Sequence, residues 1–156
     1  TRTWLADAVK REQGHRVDAT EVGIVTPYTG QVREVLKYRQ ELCDILEDEG
    51  LHTRNLDFVE VKSVDGFQGR EKDVIIMSCV RSNPDNIIGF LADMRRLNVA
   101  VSRAKRGLVL IGNKSTLSIH PLWASYIQAV EKAGAIIPYS RLLPWLKAGV
   151  ALPDFL

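Results

Sequence analysis

The sequence predicts an α/β fold, a mostly parallel sheet flanked by helices on both faces. Three observations carry this. Short apolar segments alternate along the chain with segments of helical period. Two of the apolar segments, Val74–Val80 and Gly107–Gly112, are nearly continuous, as strands covered on both faces are. The 156 residues suffice for one such domain, burying roughly two-thirds of the unfolded surface without disulfide or metal staples.

The elements follow in order. Trp4, Leu5, Ala8 and Val9 recur at helix spacing, so Thr1–Lys10 reads as a helix and polar Glu12–Thr20 as a loop. Val22–Thr26 is a strand stopped by Pro27. Gly30–Glu49 is a long helix with Val32, Val35, Leu36, Leu42, Cys43, Ile45 and Leu46 on one stripe and Gly50 as its cap. Its far end is acidic (Glu41, Asp44, Glu47, Asp48, Glu49) and is expected to face away from any nucleic acid. Phe58–Val64 alternates Val59 and Val61 with Glu60 and Lys62, the pattern of a half-exposed strand near a sheet edge. Val74–Val80 is expected at the centre. Arg95–Ala104 reads as a helix, Gly107–Gly112 as a fourth strand, Leu122–Ala133 as a helix and Ile136–Ile137 as the start of a short strand. From Tyr139 on, flanked by Pro138 and holding Pro144 and Pro153, short turns are expected. Residues 1–138 are thus assigned to one domain and 139–156 to a tail.

Composition narrows the function classes. With 46% hydrophobic and 26% charged residues the chain is not a disordered tail, a collagen-like repeat or a coiled coil. No apolar run approaches the roughly 20 residues that span a bilayer. Two cysteines, Cys43 and Cys79, form neither a disulfide framework nor a four-cysteine zinc site. They are expected to be reduced, which fits cytoplasm or nucleus. His15, His52 and His120 are scattered, so no metal site is assigned. The chain opens on Thr1 inside a helical pattern, as a piece of a longer protein would.

In parallel sheets ligands gather at the carboxyl ends of the strands, and three segments there are candidates. Thr26-Pro27-Tyr28-Thr29-Gly30-Gln31 follows the first strand. Ser63-Val64-Asp65-Gly66-Phe67-Gln68-Gly69-Arg70-Glu71 follows the second. Its glycines allow close backbone approach, Gln68 offers a donor and an acceptor, and Arg70 with Glu71 can hold phosphate or order a water. On spacing alone a polar turn explains it equally well. Arg95–Lys105 precedes the fourth strand, and Arg96 and Arg103, seven apart, share a helical face. Residues 91–114 hold six basic residues against Asp93 alone, a net +5 in a chain whose total is +2. Such a patch fits phosphates; a solvated helix face is the other reading.

Taken together, TPYxxQ, SVDGFQGREKDVIIMSCVRSN and IGFLADMRRLNVAVSRAKRGLVLIGN resemble motifs IV, V and VI of superfamily-one helicases, in that order. Within them the chain looks like the branch holding the nonsense-transcript regulator helicase, senataxin, the mu-binding helicase and the DNA-replication helicase/nuclease. The likeness covers residues 20–135 and implies a RecA-like, three-layer P-loop NTPase fold, specifically the second motor domain. No GxxxxGKS or GxxxxGKT occurs, so the phosphate-cradling loop and the Mg2+-binding acidic pair are expected on a first motor domain elsewhere in the parent, and this chain alone is expected not to hydrolyse ATP.

What the resemblance implies residue by residue is specific. Arg103 falls on the arginine finger that stabilises charge at the γ-phosphate of ATP. Gln68, Gly69 and Glu71 fall on nucleotide-facing positions, with Arg70 adjacent. Arg96 and Asn98 fall where they would brace the finger or bridge the cleft. Thr26, Pro27, Tyr28 and Gln31 fall on motif IV, and Ser63 and Val64 on the start of motif V, where the branch grips single-stranded RNA or DNA. Ser63 stands where many relatives have Thr, and keeps a hydroxyl. An Asn- and Glu-bearing nucleotide motif that the family places just before the first helix is not in this sequence. Trp4, Trp123 and Trp145 are expected as core anchors. The implied function is an ATP-dependent helicase acting in RNA decay or surveillance. A helicase of DNA replication or repair, and a non-catalytic nucleic-acid-binding module on the same fold, are the alternatives.

Overall fold

The computed structural model describes residues 17–48 and 56–148. The helix expected over Thr1–Lys10, most of the Glu12–Thr20 loop and the cap at Gly50 lie outside the described residues. The chain divides into two compact units, one of residues 17–120 and one that includes 121–148.

The first unit runs β1 (Val22–Thr26), α1 (Thr29–Asp48), β2 (Glu60–Ser63), β3 (Lys72–Ser78), α2 (Met94–Val101), β4 (Ala104–Ile111) and the short α3 (Lys114–Leu117). Its four strands pair in the order β2-β1-β3-β4, every pair parallel. The predicted α/β class holds. The alternating segment is the outer strand β2, and the apolar β3 is interior, as read from their patterns. Parallel crossovers are right-handed. That rule puts α1, between β1 and β2, on one face, and the 64–71 crossover with α2 on the other. Phe67 packs the crossover onto the sheet: it is fully buried, and a Cβ on Gly23 of β1 would lie 2.7 Å from its ring. Only glycine lets the ring sit that close to the strand. Val25, Ile75, Met77 and Cys79 complete the buried surface around it.

Boundaries differ from the pattern reading for identifiable reasons. β3 begins at Lys72 and β4 at Ala104, both earlier than their apolar runs. Lys105 pairs with Glu21, just before β1, at 3.7 Å, and Arg106 with Asp73 of the neighbouring β3 at 3.4 Å, so these charged strand residues are met by carboxylates of other segments. α2 ends at Val101 rather than Ala104, because the chain must enter β4 there. The start of α2 is set by Asp93, whose carboxylate accepts from the amides of Arg95 and Arg96 at 3.0 and 3.4 Å.

The second unit holds α4 (Pro121–Lys132) and α5 (Tyr139–Ala148). In α4, Trp123 is buried as expected and meets the Tyr126 ring edge-on at 6.2 Å. Ile136–Ile137 is not a strand, and a helix replaces the turns expected after Tyr139. Pro138 stands just before that helix, and its carbonyl accepts from Arg141 and Leu142. Proline is tolerated there because first-turn amides have no intrahelical partner anyway. Pro144 lies inside the helix at the cost of one backbone bond.

Candidate functional site

A parallel sheet has two chemically distinct ends, and the candidate residues divide between them. The expectation that all three segments share the carboxyl end is corrected on this point. Thr26 and Ser63 end neighbouring strands and are register partners. Gln68, Gly69, Arg70 and Glu71 immediately precede β3, and Arg103 immediately precedes β4, so these five stand at the amino end. The chain crosses the sheet between the two ends over residues 64–71, with Phe67 as its buried anchor.

At the carboxyl end the backbone is tied tightly. The amide of Val64 donates to the carbonyl of Thr26 at 3.0 Å, and that of Gly66 donates to the Ser63 hydroxyl at 3.1 Å. The side chains of Thr26 and Val64 are interior; Val64 shapes the edge through its backbone, while the Thr26 hydroxyl accepts from the Tyr28 amide at 3.4 Å and so holds the turn into Tyr28. Pro27, Tyr28, Gln31 and Ser63 are half-buried and border solvent. Tyr28 is the hub. Its hydroxyl accepts from Arg81 Nε at 2.8 Å and donates to the Ile88 carbonyl at 3.3 Å. The Arg81 guanidinium also lies 4.9 Å from the Tyr28 ring centroid, and Phe90 meets that ring edge-on at 5.7 Å. Arg96 stands 5.0 Å from the Phe90 ring and pairs with Asp65 at 3.3 Å and Asp93 at 3.8 Å. One chain of contacts, Asp65, Arg96, Phe90, Tyr28, Arg81, thus joins all three predicted segments.

Arg81 and Phe90 belong to this hub, and pattern reading did not single them out. Arg81 is delivered by a local distortion. Val80 has φ of 63°, and the Arg81 amide closes back onto the Cys79 carbonyl at 2.6 Å. That is a γ-turn in the positive-φ region, costly for a β-branched residue. No composition or periodicity signal announces such a turn. The one available signal was an arginine directly after an apolar strand.

At the amino end, Phe67-Gln68-Gly69-Arg70 forms a type II turn. Gln68 has φ −59° and ψ 135°, Gly69 has φ 77°, and the Arg70 amide donates to the Phe67 carbonyl at 3.1 Å. The turn leaves Gln68, Gly69, Arg70 and Glu71 exposed. The Lys72 amide donates to the Arg103 carbonyl at 3.0 Å, so Glu71 and Arg103 enter adjacent strands side by side. Arg103 Nε donates to the Val99 carbonyl at 3.0 Å and its Nη2 to the Ser102 hydroxyl at 3.0 Å. Guanidinium carries five N–H donors, which leaves capacity for an anion. One expectation changes here, and one residue has a further partner. Arg103 lies beyond the end of α2, so the seven-residue spacing does not stack it with Arg96, whose partners are Asp65 and Asp93. Arg70 is held by Glu60 at 2.5 Å. Among the described residues no group of three or more His, Cys, Asp or Glu side chains is placed to hold a metal ion.

Comparison with known proteins agrees with this architecture. A family model described as an AAA domain matches residues 4–115. The chain is 46% identical over 123 residues to a regulator of nonsense transcripts 1 homolog of Drosophila melanogaster, covering 79% of this chain and 9% of that protein. It is 44% identical over 131 residues to the ATP-dependent helicase NAM7 of Saccharomyces cerevisiae, covering 84% of this chain and 12% of that protein. It is 49% identical over 133 residues to a regulator of nonsense transcripts 1 homolog of Neurospora crassa, covering 83% and 12%. The chain spans about a tenth of the length of these relatives. The matched region contains both ends of the sheet and all three motif segments, and the chain therefore belongs to this AAA domain family as a superfamily-one helicase domain of the nonsense-transcript-regulator branch.

Proposed function

We propose that this chain is the second motor domain of an ATP-dependent helicase or translocase that acts on single-stranded RNA, in RNA decay or surveillance within the cytoplasm or nucleus. Residues 1–138 form the motor domain and 139–156 its tail. The observation that carries the reading is the placement of Glu71 and Arg103 at the adjacent entrances of β3 and β4, which the Lys72 amide ties together by donating to the Arg103 carbonyl, on a chain that has kin among ATP-dependent helicases.

In this reading ATP lies against the amino end. Arg103 turns its remaining donors to the γ-phosphate, where a planar, permanently charged fork suits two oxygens at once. Glu71 and Gln68 order the attacking water. Mg2+ would be held, and the P-loop supplied, by a first motor domain of the longer protein, where the ion would neutralise phosphate charge; this chain alone would then not hydrolyse ATP. The single strand crosses the carboxyl end, where Pro27, Tyr28, Gln31 and Ser63 border solvent. Backbone contacts dominate, so sequence preference is weak and salt dependence strong. Because the two ligands use opposite ends, α2 and the 64–71 crossover are the elements that link them.

The test is ATP hydrolysis by the longer protein containing this chain, alone, with single-stranded RNA and with single-stranded DNA. Strong stimulation by RNA supports the reading. Equal or greater stimulation by DNA moves the substrate to DNA. Strand binding without hydrolysis makes the chain a binding module and overturns the motor assignment.

A further inference from the structure

Glu60 opens β2 at the amino end, and its carboxylate faces two cations, Arg70 of the loop before β3 and Lys72 at the start of β3. Oε1 lies 2.5 Å from Arg70 Nη1 and Oε2 lies 3.6 Å from Lys72 Nζ. Lys72 Nζ also donates to the Thr20 carbonyl. The Glu60 side chain is 16% exposed and that of Lys72 17%, whereas the Arg70 side chain is 55% exposed. The carboxylate is therefore set into the sheet end and pulls an otherwise solvent-borne arginine down onto it. Arg70 and Lys72 flank Glu71. A single carboxylate that holds both neighbours of Glu71 limits the directions that residue can take, and Glu71 itself is exposed. The same Lys72 carries the amide that binds the Arg103 carbonyl.

We infer that Glu60 is a positioning residue for the nucleotide-facing end: it aims Glu71 outward beside Arg103 by clamping Arg70 and Lys72 behind it. Arg70 is then a strut rather than a phosphate ligand. This rests on the functional reading above, and the experiment separates the two.

Glu60→Gln keeps the side chain's size and removes its charge. In the longer protein, with saturating single-stranded RNA, kcat for ATP hydrolysis should fall about tenfold, because a misplacement of the order of an ångström at a reacting centre is costly. Affinity for the single strand, bound at the opposite end, should not change. Arg70→Gln should reproduce the loss. In a Glu71→Gln background Glu60→Gln should add nothing, since groups acting as a unit are not additive. A merely structural Glu60 would give the same fractional loss in both backgrounds, and that result overturns the inference. So does a Glu60→Gln enzyme with wild-type kcat while Arg103→Ala is inactive. If Arg103→Ala is itself fully active, the functional reading fails first. Should Glu60→Gln fold poorly, Arg70→Gln alone and combined with Glu71→Gln decides the same question at an exposed site.

Discussion

The backbone amide of Lys72 donates to the carbonyl of Arg103 at 3.0 Å, tying the entrance of β3 to the entrance of β4. This bond is the register point at which two segments 32 positions apart in sequence become one surface. Glu71 and Arg103 stand next to it, and the first prediction concerns them.

Arg103→Ala in the longer protein should lower ATP turnover on the order of a thousandfold, the scale of arginine-finger losses. Arg103→Lys should recover little, because an ammonium cannot fork onto two oxygens. Single-strand affinity without nucleotide should stay at the wild-type value for both. Turnover within a few-fold of wild type in Arg103→Ala would remove the finger assignment.

At the other end, Tyr28→Phe deletes one hydroxyl that accepts from Arg81 and donates to Ile88. The ring contacts with Arg81 and Phe90 survive. The expected cost is about 1–2 kcal/mol, that of leaving a half-buried donor and acceptor unpaired. Tyr28→Ala should cost more, since the ring is lost too. Urea unfolding followed by circular dichroism reads both; equal stability of Tyr28→Phe and wild type would show that water replaces the hydroxyl without loss.

The strands, the long helix and the kinship of the motifs were legible because burial imposes a period on Val22–Thr26, Thr29–Asp48 and Lys72–Ser78. The division of the site was not. Residues 63–71 read as one continuous motif, yet the chain crosses from one end of the sheet to the other within them. The parallel pairing of β2 and β3 with β1 requires that crossing, and the close fit of Phe67 on Gly23 packs it against the sheet. Charged strand starts were hidden for a related reason: Lys72, Lys105 and Arg106 meet carboxylates of other segments (Glu60, Glu21 and Asp73), which a linear pattern does not register. The Val80 turn contradicts local preference outright, so tertiary contacts around Arg81 must hold it.

Two glycines make opposite predictions. Gly69 has φ of 77° with open space around its Cβ position, so its requirement is conformational rather than steric. Gly69→Ala should destabilise by about 1–2 kcal/mol, the penalty for left-handed backbone. Gly30 lies in the first turn of α1 and also faces open space, without a positive φ. Gly30→Ala should stabilise by about 0.4–1 kcal/mol by restricting the unfolded chain. Chemical denaturation of the two variants checks the pair, and a shared sign would contradict the backbone geometry of one of them.

The last prediction is a pH dependence. Cys79 is fully buried beside the Phe67 core, and burial pushes its thiol up to about 12 from an ordinary 9.0. The folded state thus holds the neutral thiol while the unfolded chain loses its proton near 9.0. Stability rises with pH only where the unfolded state binds more protons. Here it binds fewer once the pH passes 9.0, so this group's contribution is complete below 9.0 and is lost progressively up to about 12. Burial also raises the Cys43 thiol, with Asp57 adding to the effect, so its slope has the same sign. Cys79→Ala should therefore be less stable than wild type at neutral pH, from the lost packing. Its stability should also decline less steeply between pH 9.0 and about 12, the window set by the two thiol values. Urea midpoints at several pH values measure the slope. In parallel, the native protein at pH 8 should react with a thiol-specific reagent at Cys79 only as fast as it opens, and denaturant should release the full rate. Rapid native-state labelling of Cys79 would mean that the core around it is accessible, against both its burial and its raised thiol.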